Sequence, residues 1–214
     1  MKKLILFCSA VILILTFAGC ADIEANKPPY ADLVPELITA DMDTVLSAFD
    51  MTREDITLVS AADGYQLNKP VQIMGQDYEM FLHFYDVENE TDFLGITYRV
   101  RISCGEKKAA KTAIDLRDKL VSLYGPSTRP SGTSNSLSLA DASAAELASY
   151  MSENEINTRG MRWVLDDSVE DLSDELKAFY GKGCVSLKYW VDHYTTNSDD
   201  VLQLQLVYCI DHAS

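Results

Sequence analysis

Few side chains in this 214-residue chain could do chemistry, and their spacing decides most of what can be said of them. Asp86, Glu88, Glu90 and Asp92 alternate in the manner of an oxygen-donor loop, and calcium takes about six to eight such ligands. A helix–loop–helix calcium site needs glycine at its sixth position and glutamate at its twelfth; counted from Asp86 these are Thr91 and Thr97. A polar turn between two strands accounts for the same acids. The histidines are His83, His193 and His212, and the chain contains no His-Glu-x-x-His, no Cys-x-x-Cys and no Gly-x-Ser-x-Gly. Metal and triad chemistry therefore lack their usual sequence parts, and no cofactor and no metal set is expected. Catalysis would need a site assembled from distant positions. Asp192-His193 adjoins a predicted turn and His212 lies near the C-terminus, so both read as solvated.

The other reactive residues are cysteines, and the first of them sit in a leader. Lys2 and Lys3 precede an apolar run from Leu4 to Phe17 that closes on Ala18, Gly19 and Cys20, the three parts of an export signal. The run is too short to span a bilayer, which takes about 20 apolar residues. Phe17-Ala18-Gly19-Cys20 resembles the lipobox of bacterial lipoproteins, with Phe17 in place of the usual leucine-like residue. The resemblance covers the leader alone; the rest of the chain resembles no particular family. It implies cleavage after Gly19, a diacylglycerol on the Cys20 thiol and acylation, with palmitate for example, of the new amine. Such a protein is anchored to the bilayer and faces away from the cytosol, at the cell surface or towards the periplasm. Each buried methylene adds about 0.8 kcal/mol, so two chains hold where one binds marginally.

Cleavage removes two of the 18 basic residues and no acid, leaving 16 against 33, a net charge of −17 over 195 residues. That balance argues against nucleic acid, whose affinity comes from Lys and Arg neutralising phosphates. Of the remaining thiols, Cys104, Cys184 and Cys209, one is left over if two pair in an oxidising compartment. Cys184 and Cys209 fall on the same face of a predicted C-terminal hairpin. If Asp192 pairs with Val201, the same register sets Cys184 opposite Cys209, close enough for a disulfide. The alternative is three unpaired thiols, with Cys104 on an apolar face in either case.

These residues need elements to hold them. Ala21 to Glu36 carries Pro28, Pro29 and Pro35 and reads as a tether. The division is then residues 1–19 signal peptide, 20–36 lipidated cysteine and flexible tether, and 37–214 a single domain. Met42, Val45, Leu46 and Phe49 recur at helical spacing behind a cap at Thr39 or Asp41, and Thr52-x-x-Asp55 opens another turn. Val71 to Met74 and Tyr78 to Tyr85 flank Gly75-Gln76-Asp77 as a hairpin. Leu94 to Ile102 alternates, with Leu94, Ile96, Tyr98, Val100 and Ile102 inward and Thr97, Arg99 and Arg101 outward. The apolar stripe from Glu106 to Tyr124 predicts the longest helix, stopped by Gly125-Pro126. Ser143-x-x-Glu146 is a capping box, Met161 to Leu165 a strand and Ser173 to Tyr180 a short helix. Cys184 to Val191 with Val201 to Ile210 forms the last hairpin. Strands in runs with few intervening helices predict an α+β fold, an antiparallel sheet packed on one face by helices.

Such a sheet leaves a second face. Parity puts Glu79, Phe81, His83 and Tyr85, then Arg99 and Arg101, then Lys188, Trp190, Gln203 and Gln205 on it. Aromatic and guanidinium groups together are what binding hot spots are enriched in. Cross-strand pairing of arginines with Glu79 would explain the same pattern without a partner. The expectation is a non-enzymatic interaction module of the cell envelope that binds protein or glycan through Arg99, Arg101, Trp190, Lys188 and Tyr85. The alternatives are a small-molecule or glycan receptor with Trp163 or Trp190 at a pocket wall, and an enzyme with a dispersed site.

Overall fold

The computed structural model describes residues 27–59, 64–103, 105–131, 137–153, 156–196 and 199–212. Helices α1 (Val34–Leu37) and α2 (Met42–Ala48) come first, followed by a hairpin of β1 (Ile56–Val59) and β2 (Gly64–Leu67). Next are β3 (Val71–Ile73), β4 (Gln76–Asp86), β5 (Thr91–Ser103) and α3 (Glu106–Tyr124). The chain closes with β6 (Arg129–Ser131), α4 (Ala144–Glu153), β7 (Ile156–Val169), α5 (Asp174–Tyr180), β8 (Gly183–Thr196) and β9 (Asp199–His212). Eight strands run in the order β1-β2-β4-β5-β9-β8-β7-β6, with β3 paired to β4 beside that path. All neighbours are antiparallel, and the fold is α+β.

Local chemistry explains the element ends. Asp41 accepts from the Thr44 amide at 2.8 Å at the start of α2, and Thr52 and Asp55 close a reciprocal box on a 3-10 turn. Ser143 and Glu146 do the same for α4, and the Ser173 hydroxyl caps α5. Between β3 and β4, Met74 (φ 52°) and Gly75 (φ 77°) make a two-residue turn with both central residues at positive φ, the geometry that matches strand twist.

Helices α1 to α4 cover one face. Tyr189 of β8 donates to the Ala113 carbonyl of α3 at 2.7 Å, Trp163 of β7 donates to the Gly125 carbonyl at 2.8 Å, and the Tyr124 and Tyr208 hydroxyls meet at 2.9 Å. The core lies between, built from Met80, Leu82 and Phe84 of β4, Ile96 and Tyr98 of β5, and their partners on β9, β8 and β7.

Three expectations change. First, residues 27–36 are no tether. Ala31, Val34 and Leu37 recur at three-residue steps and enter the core, the Tyr30 ring packs on Phe49 at 4.7 Å, and the Tyr98 hydroxyl donates to the Pro29 carbonyl. Proline is tolerated in the first turn of a helix, so Pro35 starts α1 instead of forbidding structure. The domain therefore includes residues placed in the tether, and residues 20–26, Cys20 among them, lie outside the described residues. Second, β5 shifts register opposite His83/Phe84, so Phe93 fills the core position expected of Leu94. Third, the C-terminal hairpin is two residues out of the expected register: Asp192 pairs with Gln203, Cys184 with Asp211 and Cys209 with Ser186. The thiols stand on a diagonal, not opposite each other, and both are free. Cys104 lies outside the described residues.

Candidate functional site

The face turned away from the helices is ordered in rows by the strand register. One row runs Glu79, Arg99, Gln205, Trp190 and Gly160 across β4, β5, β9, β8 and β7. Its neighbour on one side is Arg101, Gln203, Asp192 and Thr158; on the other it is Phe81, Thr97, Val207, Lys188 and Arg162. Arg99, Arg101, Trp190 and Lys188, expected on this face, are all on it.

Their side chains fall into two groups. Arg99 lies over the Phe81 ring, 4.4 Å from its centre, and holds Glu79 through Nε at 3.0 Å and Nη2 at 2.9 Å. Phe81 is 2% exposed yet sits apart from the main core, so the guanidinium is much of what shields it. Trp190 is half-buried in the same row and Arg101 is exposed in the next. The pairing of an arginine with Glu79, weighed from sequence as the partner-free explanation, is thus present at Arg99.

Lys188 and Tyr85 belong to the other end of the face, where α5 lies. The Phe179 ring packs on Tyr85 at 5.8 Å and the Tyr180 ring on His212 at 5.6 Å. Lys188 Nζ reaches Asp211 Oδ2 at 3.0 Å, and Arg162 Nε approaches the same oxygen at 3.4 Å, an ion pair without good hydrogen-bond geometry. Arg162 Nη2 also meets Cys184 Sγ at 3.1 Å. Burial by itself pushes the Asp211 carboxyl up, but Lys188 and then Arg162 outweigh it and hold the group below its ordinary value. Burial likewise pushes Lys188 down, and Cys209 and Asp211 together bring it above its usual value. Cys209 is pushed up, chiefly by burial, which suits an inert thiol rather than a nucleophile.

Asp86, Glu88, Glu90 and Asp92 border the β4–β5 turn. Asp86 caps it through Asn89, and Glu90 holds Arg53 at 2.6 Å and the Tyr65 hydroxyl at 2.8 Å. No three His, Cys, Asp and Glu residues among those described are grouped to hold a metal. His83 Nε2 lies 2.8 Å from Thr97 Oγ1, and the His193 side chain lies outside the description. Two clefts, of about 660 and 600 Å³, lie on the helical side, between α3 and α4 and between the β3–β4 turn and α3. Neither is lined by Arg99, Arg101, Lys188 or either tryptophan, and Trp163 is buried in the core.

Sequence reasoning did not single out Arg162, Asp192 and Asp211 as a group on this face. Alternation along β8 and β9 would have placed both acids outward, but the slipped register put Asp192 beside a turn, where a carboxylate attracts no notice. Comparison with family models, curated proteins and solved structures finds no match for this chain.

Proposed function

We propose that the chain is an extracytoplasmic lipoprotein anchored through acylated Cys20, and that its domain is a non-enzymatic binding module of the cell envelope. The leader from Lys2 to Cys20 supports the anchor. The observation that carries the binding role is the row Glu79–Arg99–Gln205–Trp190 on the face opposite α1 to α4. It joins a stacked arginine to a half-buried tryptophan on a rigid sheet, and Trp and Arg dominate binding energy in interfaces. The two clefts lie away from these residues, which favours a broad partner surface over a small molecule.

Two experiments test the two halves. Metabolic labelling with an alkyne fatty acid marks the wild-type chain and not Cys20→Ser; equal labelling of both overturns the anchor. For the face, a photo-crosslinker at Gln205 captures the envelope partner, whose affinity is then measured for Trp190→Ala and Arg99→Ala. Each variant loses about tenfold or more, as a hot-spot residue does; full affinity in both removes this face from the function.

A further inference from the structure

We propose that Asp192 and Trp190 together receive a basic side chain, Lys or Arg, presented by a protein partner. This rests on the outward face being the binding face, and is independent of the anchor. Val191 is buried in the core, so alternation turns Asp192 to the outward face beside Trp190, two residues along the same strand. Asp192 is only 9% exposed, and its Oδ1 is buried with no hydrogen-bond partner among the described residues. Gln203, paired opposite it, is 8% exposed. A carboxylate oxygen withdrawn from water without a donor is costly, and buried polar atoms are nearly always satisfied.

Of the four cations described on this face, three are committed elsewhere. Arg99 is held by Glu79, Lys188 and Arg162 are both drawn to Asp211, and Arg101 is exposed on the far side of Gln203. Asp192 is left with unused capacity for a positive charge. The neighbouring indole adds a surface that attracts ammonium and guanidinium groups through its ring quadrupole. None of the clefts described above opens here, so a lone amine would gain little buried area. A basic side chain carried on a protein surface brings its own contact area, and the acidic domain favours its approach.

The test uses the full chain in neutral detergent, with tetralysine as probe and tetraglutamate as control, read by calorimetry and by tryptophan emission. Tetralysine binds and shifts the emission of half-buried Trp190, Trp163 being sealed in the core. Asp192→Asn weakens it about tenfold, the equivalent of ~1.4 kcal/mol. Asp115→Asn, an exposed acid on α3, leaves affinity unchanged, and Arg101→Ala does not weaken it. Asp192→Asn melts no lower than wild type, because the oxygen it alters has no hydrogen-bond donor among the described residues to lose. Equal losses in Asp192→Asn and Asp115→Asn reduce the effect to net charge and overturn the proposal. So does unchanged affinity in Asp192→Asn, and a lowered melting point alongside it assigns the carboxylate a structural role. Either failure leaves the Trp190→Ala and Arg99→Ala measurements on the captured partner standing as the separate test of the face.

Discussion

At the scale of single residues, Asp211 holds one end of the sheet. It is the shared ion-pair partner of Lys188 and Arg162, whose side chains are 24% and 14% exposed, and no other carboxylate is paired with either among the described residues. Asp211→Asn leaves two half-buried cations facing one another. The expected loss is about 1–3 kcal/mol, less than for a fully buried pair because water still reaches the site. The pH dependence has a definite sign. A free aspartate titrates near pH ~3.9, and Asp211 is held lower in the folded state. Its contribution is therefore complete above that pH and is lost as pH falls through the lowered value. Urea denaturation of wild type and Asp211→Asn should show curves that differ at neutral pH and converge in acid.

At the scale of elements, register decides chemistry. A two-residue slip preserves every side chain's face, so alternation identified the outward residues correctly while mispairing them. Ser186, not Cys184, stands opposite Cys209, and Ser186→Cys should give a protein whose introduced thiol oxidises to a bridge with Cys209. Non-reducing peptide mapping should find that bridge in the variant and free thiols at Cys184 and Cys209 in wild type. The shift in β5 rests on Gly95, where φ is 147° and a Cβ would lie 1.9 Å from the Tyr208 carbonyl oxygen of β9. Gly95→Ala cannot be accommodated without moving a central strand, and a loss of roughly 3 kcal/mol or more is expected in thermal melts. Leu94 is expected in the core only if strict alternation is extended through this irregularity, which no periodicity announces.

At the scale of the whole molecule, the domain reaches back to residues that composition assigned to a tether. Val34→Asp buries an unpaired charge in the core and should cost at least about 3 kcal/mol, whereas Glu36→Ala, on the exposed side of the same turn, should be nearly silent. Comparing their denaturation midpoints tells a core segment from a linker. The helices bounded by local signals were legible, the span Glu106 to Tyr124 with its Gly125 stop and the boxes at Thr52 and Ser143 above all, because caps and stripes act within a few residues. The β1–β2 hairpin and β6 were not, since short strands carry too little alternation to stand out. By itself the chain determined its acidic charge, its α+β class and which side chains share the outward face, all consequences of composition and of the two-residue period of a strand. Only tertiary structure decided that β5 lies beside β9, that Lys188 and Arg162 converge on Asp211, and that Asp192 Oδ1 is buried without a donor among the described residues. Those facts depend on contacts between residues far apart in sequence, where a shift of two positions changes every neighbour and leaves the local pattern intact.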